Sequence, residues 1–338
     1  MKGISLPISK SIANRILLLQ AIHGDPLMRV SSDMPDDVIV LHDALEKLRE
    51  YKQSPITRNE VNRALVAENH QLPIVLHLKN SGTALRFLQV HLTKCYPDEP
   101  ITLTGDPRLM ERDGKPTSQT TSALIMHGIE VPVSPDESPY ITMTRKVVER
   151  YKGTMYDVQR IMERDWSAAA FWYEYVAIHG GELLLEGLTA DSIQSDRIVA
   201  DIYARYFGVE TTFTHEGVVI RSVRETVCQA KPVSLDFTNC PDLYPAIALT
   251  CEIKKIDLHA TGTERLQYKE SNRLEAVRLH EVRNDHRIAM ALMAADFPVS
   301  VEEQACIAKS YPNFVSQWNE LTSESLNGLI LRKMQKKC

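Results

Sequence analysis

A chain of 338 residues is longer than one small core requires, so two domains are the expectation. Apolar residues at 43% and charged residues at 25% describe a globular protein in water, and a formal net charge of −5 argues against a general binder of nucleic acid or membrane surfaces. The six cysteines (Cys95, Cys228, Cys240, Cys251, Cys306, Cys338) show neither a CxxC pair nor a His-linked metal spacing, and they read as reduced thiols.

In chain order, the opening MKGISLPISKS holds no apolar leader run, and no stretch approaches the roughly 20 apolar residues of a membrane helix. A soluble, cytoplasmic protein is the expectation. SKSIANRILLLQAI from Ser9 predicts a capped helix that is apolar on most faces, with Lys10 and Ser11 in its first turn and Asn14 and Arg15 one turn later. Such cations usually form a solvated face; beside Ile12, Ile16 and Leu17 they need anionic partners instead. VIVLHDALEKLRE (38–50) is apolar on one side only and reads as an outer helix. NSGTALRFLQV from Asn80 sets Gly82 in a turn, where backbone can approach a ligand closely, and puts Arg86 on a mostly apolar helix. ITLTG (101–105) has a strand's pattern, and GDPRLMER then supplies Arg108 and Arg112. TSQTTSALIM offers Thr117, Ser118 and Gln119 at a helix start, which serves equally as a phosphate cradle or a cap.

DWSAAAFWYEYVAI from Asp165 opens a further buried helix. ELLLEGL (182–188) and GVVIRSV (217–223) read as strands on either side of an outer helix, RIVADIYARYFGV (197–209). NCPDLYPAIALTC from Asn239 opens the next buried helix and carries Asp242. YKESNR (268–273) sets Lys269 and Arg273 four apart with Glu270 beside them, either a binding cluster or an exposed helix face. NDHRIAMALMAA from Asn284 puts His286 and Arg287 in the first turn of an Ala/Met helix. A cation is unfavourable there, and a bound anion or a salt bridge to Asp285 would offset the penalty. CIAKSYPNF places Lys309 before a turn.

One theme therefore recurs six times: a polar capping stretch followed at once by a buried helical run. It predicts an α/β protein of six units, three per domain, with inner helices surrounded by sheet and outer helices. Each helix start presents unpaired backbone N–H groups and about half a positive charge. Several such ends aimed at one cleft would bind phosphates and carboxylates.

Taken together the motifs resemble the enolpyruvyl transferase family. LPISKSIANR is similar to the family's LPxSKSxSNR, NSGTALRF to NAGTAxRF, LTGDPRLMER to LTGxxxLxxR, TSQTTSALIM to SSQxxSALLM, YKESNR to KE(T/S)DR and NDHRIAMAL to DHRxAM, in the family's order from residue 4 to about 316. The resemblance implies an inside-out α/β barrel of six βαβαββ-type units. Its buried helices would point at an interdomain cleft, with residues 9–179 as one domain and 1–8 plus 180–338 as a discontinuous second. It implies transfer of enolpyruvate from phosphoenolpyruvate to the 5-hydroxyl of shikimate 3-phosphate through a tetrahedral intermediate, with glyphosate as a competitor of phosphoenolpyruvate. By the same resemblance, Lys10, Gly82, Arg112, Gln119 and Lys309 surround the phosphate of phosphoenolpyruvate, while Arg273 and Arg287 take its carboxylate. Ser11, Arg15, Thr117, Ser118, Gln119, Ser138 or Tyr140, Asp242 and Lys269 hold shikimate 3-phosphate. Asp242 and Glu270 form the acid–base pair, with Lys10 assisting and His286 nearby. No metal or organic cofactor is implied, and the partners are the two small substrates acting on a monomer.

The sequence departs from the family at Thr117 (Ser expected), Gln267 (Arg) and Asn272 (Asp). The spacings after Arg112, Met126, Tyr140 and Arg273 are also short, which reads as segments missing from a 38.3 kDa chain. Two other readings follow: a degenerate member that binds without turnover, and the transferase acting on a UDP-sugar. The latter would carry a loop cysteine near Arg112, where none stands.

Overall fold

The computed structural model describes residues 1–53, 74–111, 117–223 and 232–323. They fall into two compact units, Ser9–Met162 and a discontinuous unit of Met1–Ile8 with Glu163–Cys338. The expected boundary after residue 179 thus moves to 162/163. The reason is burial: helix Trp166–His179 packs into the core of the second unit and cannot be assigned to the first.

In the first unit, α1 (Lys10–His23) buries nine consecutive residues from Ile12 to Gln20, so every face of it is covered. It stops at Gly24, whose left-handed backbone returns its N–H to Gln20 O. The outer helix α2 (Asp36–Gln53) instead buries one stripe, including Val38, Leu41, Leu45 and Leu48. Strands β2 (Ile74–His77) and β3 (Ile101–Thr104) pair in parallel. Parallel strands need a crossover, and α3 (Gly82–Cys95) supplies it, capped by Ser81 Oγ accepting the Ala84 N–H. A short helix α4 (Pro107–Glu111) follows. Next comes α5 (Ser118–Met126), which starts in a reciprocal Thr117/Thr120 capping box. Helices α6 (Pro139–Arg150) and α7 (Met155–Ile161) complete the unit.

In the second unit, β1 (Lys2–Ser5) lies parallel to β4 (Glu182–Glu186), with Ile4 opposite Leu185. Strand β6 (Gly217–Ser222) runs antiparallel to both β4 and β5 (Val209–Phe213), giving the order β1-β4-β6-β5. Alternate residues Leu183, Leu185, Val218 and Ile220 are buried in one core with helix α8 (Trp166–His179). The outer helix expected over 197–209 is shorter, a 3-10 turn (Ser195–Ile198) running into α9 (Val199–Tyr206), because β-branched Val209 starts a strand. A second parallel crossover follows, β7 (Val233–Asp236), α10 (Tyr244–Lys254) and β8 (Leu258–Thr261). Gly262 closes it with φ of 65°, and a methyl group there would sit 2.1 Å from Asp236 Oδ1.

Helices α11 (Arg273–Leu279) and α12 (His286–Ala294) come next, and all nine residues of α12 are buried. Their connection is continuous backbone, closed within six residues by left-handed His280, Arg283 and Asn284. From Met126 to Tyr140 the chain follows a mostly irregular connection between α5 and α6. The spacing after Arg112 lies outside the described residues. No helix among the described residues is long and apolar enough to cross a membrane.

Candidate active site

In the second unit, the 3-10 turn Pro241–Leu243 carries Asp242 to the start of α10, and the segment after β8 delivers Lys269 and Glu270 just ahead of α11. Arg273, the first residue of α11, is 1% exposed. Its guanidinium donates to three carboxylates: Nη1 to Asp242 Oδ1 at 2.7 Å, Nη2 to Glu270 Oε2 at 2.8 Å and Nε to Asp285 Oδ2 at 2.8 Å. Asp242 also receives Lys269 Nζ at 3.3 Å and lies 3.1 Å from Arg287 Nη2. Lys309 Nζ donates to Glu270 Oε1 at 3.0 Å. The sequence-expected residues Asp242, Lys269, Glu270, Arg273, Arg287 and Lys309 are thus one connected lattice of charge-assisted bonds. His286 is fully buried beside it, its Nδ1 3.9 Å from Asp285 Oδ1.

The lattice corrects one reading. For Arg287 at a helix start a bound anion or, as the alternative, a salt bridge to Asp285 was expected, and the carboxylate its side chain pairs with is that of Asp242. Asp285 instead caps α12 by accepting the Arg287 backbone N–H at 3.0 Å, receives Ser271 Oγ at 3.1 Å and anchors Arg273. Sequence reasoning gave Asp285 too small a part. Its place before a helix signalled the cap; its hold on Arg273, twelve residues back, had no linear signal.

Burial alone would raise the Asp242 carboxyl, but Arg287, Lys269 and Arg273 outweigh it and hold Asp242 well below the usual carboxylate range. Burial likewise opposes charge on Arg273, and Asp285, Glu270 and Asp242 overcome it, leaving this arginine cationic. A residue not anticipated from sequence, Asp196, behaves the other way. Burial and then the neighbouring Asp242 charge push it up to about 7, although Ser167 Oγ donates to it.

In the first unit, Lys10 Nζ at the start of α1 donates to Asp37 Oδ2 at 3.0 Å. Arg15 is 2% exposed and donates to Thr144 Oγ1 (2.7 Å), Ser11 O (2.6 Å), Ser122 Oγ (3.3 Å) and Tyr140 O (2.9 Å). Three of those bonds tie α1 to α5 and α6, so Arg15 braces this unit. Burial lowers it to about 10. Arg86 Nη1 donates to Gln119 Oε1 at 2.9 Å, and Gln119 Nε2 to Thr83 Oγ1 at 2.8 Å, joining the starts of α3 and α5. A methyl group on Gly82 would stand 2.8 Å from Arg86 Nη1 and displace it. Thr117 is the α5 cap, Ser118 follows it half-buried, and Ser138 precedes α6 without a side-chain cap bond. Arg112 lies outside the described residues.

The family model for EPSP synthase (3-phosphoshikimate 1-carboxyvinyltransferase) matches residues 2–160 and 141–280. The chain belongs to the EPSP synthase family. Relatives named 3-phosphoshikimate 1-carboxyvinyltransferase include that of Bacteroides fragilis strain YCH46, 26% identical over 393 positions covering 94% of each chain. Another, from Methanosphaerula palustris, is 26% identical over 427 positions covering 96% of this chain and 97% of the relative. Both alignments exceed the 338 residues present here, so this member spans with tight connections what those relatives span with longer ones. An EPSP synthase structure from Acinetobacter baumannii superposes with a TM-score of 0.58 at 15% identity, over 94% of this chain and 95% of that one, and it shows a shared α/β fold.

Proposed function

We propose that the chain performs the family's reaction, 3-phosphoshikimate 1-carboxyvinyl transfer, with Asp242 and Glu270 as its acid–base pair and Lys269, Arg273, Arg287 and Lys309 as counter-ions that exchange onto the substrates. The observation carrying this reading is the three-carboxylate grip on Arg273. Phosphoenolpyruvate brings a planar carboxylate that competes with Asp242 and Glu270 for the guanidinium forks of Arg273 and Arg287. Each cation drawn toward substrate raises the proton affinity of the carboxylate it leaves. Substrate binding thereby turns two salt-bridged carboxylates into bases.

Glu270, its proton affinity raised as its cations move to the substrates, takes up a proton from solvent and passes it to C3, while the 5-hydroxyl of shikimate 3-phosphate loses its proton toward Asp242 and attacks C2 of the enol. The resulting ketal phosphate expels phosphate, which takes the proton held by Asp242, as Glu270 removes a proton from C3 again. In the second unit Lys309 balances phosphate charge; in the first unit Lys10, Gly82, Gln119 and Arg112 are the phosphate-binding groups. Ser11, Thr117, Ser118 and Ser138 or Tyr140 hold shikimate 3-phosphate. Arg15 and Arg86 position these groups. Six helices opening at the recurring polar-to-apolar motif support the inside-out barrel, and a monomer suffices for this chemistry.

Glu270→Gln tests the assignment. It keeps the shape and an oxygen acceptor for one of Arg273 and Lys309 but cannot shuttle a proton, so kcat should fall about 10²–10⁴-fold. Shikimate 3-phosphate binding, followed by calorimetry, should hold within a few-fold of wild type. Turnover near wild type removes Glu270 from the acid–base pair.

A further inference from the structure

Away from the charged lattice, the first unit holds a group of side chains that the transferase reaction does not use. His91 and Cys95 lie four residues apart on the last turns of α3, on one helix face. His127, the residue that ends α5, meets them, and one ligand-capable atom from each of the three lies within 4.8 Å of the others. His91 Nδ1 and His127 Nε2 are 3.3 Å apart. Two ligands on one tetrahedral Zn²⁺, with bonds of about 2.0–2.3 Å, stand about 3.3–3.8 Å from each other. The two imidazoles already have that separation, and the thiol needs to close by no more than ~1 Å.

We propose that His91, Cys95 and His127 form a transition-metal site of the two-histidine, one-cysteine type, taking Zn²⁺ with water in the fourth position. Imidazole and thiolate together are the donor set that suits this ion. The ion acts as a clip. It would fasten the C-terminal ends of α3 and α5, whose N-terminal ends are already joined through Arg86 and Gln119. No linear motif announces it, because the third ligand comes 32 residues after Cys95, from another helix.

The test uses the full chain, dialysed against chelator and titrated with Co²⁺ as a spectroscopic stand-in for Zn²⁺. One equivalent should bind with a thiolate-to-cobalt charge-transfer band, and Zn²⁺ should displace it and raise Tm by at least about 2 °C. Cys95→Ser should abolish the band, and His127→Ala should weaken binding about tenfold or more, each without loss of the far-UV circular dichroism signal. Both positions are half-buried, so the variants should fold. Absence of a one-to-one complex overturns the proposal. So does a thiolate band of full strength in Cys95→Ser, which would place the ion on another cysteine.

Discussion

Burying an arginine costs several kcal/mol unless its charge is met, and Arg273 is met by three carboxylates at 2.7–2.8 Å. The residue types of this lattice were legible in the KESNR and NDHR segments, because charges on otherwise apolar helices demand partners. Their pairing was not. Which carboxylate faces which cation depends on where four loops converge, and that geometry put Arg287 on Asp242 and left Asp285 to Arg273. Asp196 escaped notice for the same reason, since SDRIVAD reads as an ordinary outer-helix start. Its raised value, about 7 against an ordinary 3.8, has a consequence for stability. The folded state binds this proton more tightly than the unfolded chain, so the group favours folding fully below about 3.8 and progressively less as pH rises through 7. Asp196→Asn should therefore flatten the fall of Tm between pH 5 and 8. An unchanged Tm–pH profile would show that Asp196 is not held protonated.

The six expected helices begin at Lys10, Gly82, Ser118, Trp166, Tyr244 and His286, and those from Lys10, Trp166 and His286 are buried over most of their length. Helices announce themselves through local chemistry, caps and periodicity, and so were readable. Connections are less so. The link from α11 to α12, shorter than the resemblance leads one to expect, is six residues long and turns through left-handed His280, Arg283 and Asn284. Asp285 is the hinge of that link, as cap of α12 and anchor of Arg273. Asp285→Ala removes the cap and leaves a buried guanidinium short of a partner, so a loss of about 3–5 kcal/mol is expected in urea denaturation. A loss below 1 kcal/mol would mean that Arg273 finds its counter-charge elsewhere.

At the scale of the molecule, one side chain explains why the first eight residues belong with the C-terminal unit. Trp172 of α8 is fully buried against Phe314, ring centroids 5.2 Å apart, and donates from Nε1 to Tyr311 OH at 3.3 Å. Tyr311 OH in turn donates to Ser5 O on β1 at 3.1 Å. The discontinuous arrangement was expected from the resemblance, but the boundary fell seventeen residues too late. Nothing in DWSAAAFWYEYVAI states which core a wholly apolar helix will enter. Trp172→Ala should cost the second unit about 3–5 kcal/mol, read by chemical denaturation followed at Trp fluorescence and far-UV circular dichroism. A variant as stable as wild type would deny Trp172 its role in joining the terminal strand to this core.

The account as a whole requires the 338-residue chain, tight connections included, to turn over. Phosphate released on mixing phosphoenolpyruvate with shikimate 3-phosphate measures this directly, with Asp242→Asn as the comparison. Wild-type chain should release one phosphate per shikimate 3-phosphate consumed, and Asp242→Asn should be slower by about 10²-fold or more. No release by folded wild-type chain, or equal release by Asp242→Asn, contradicts the account.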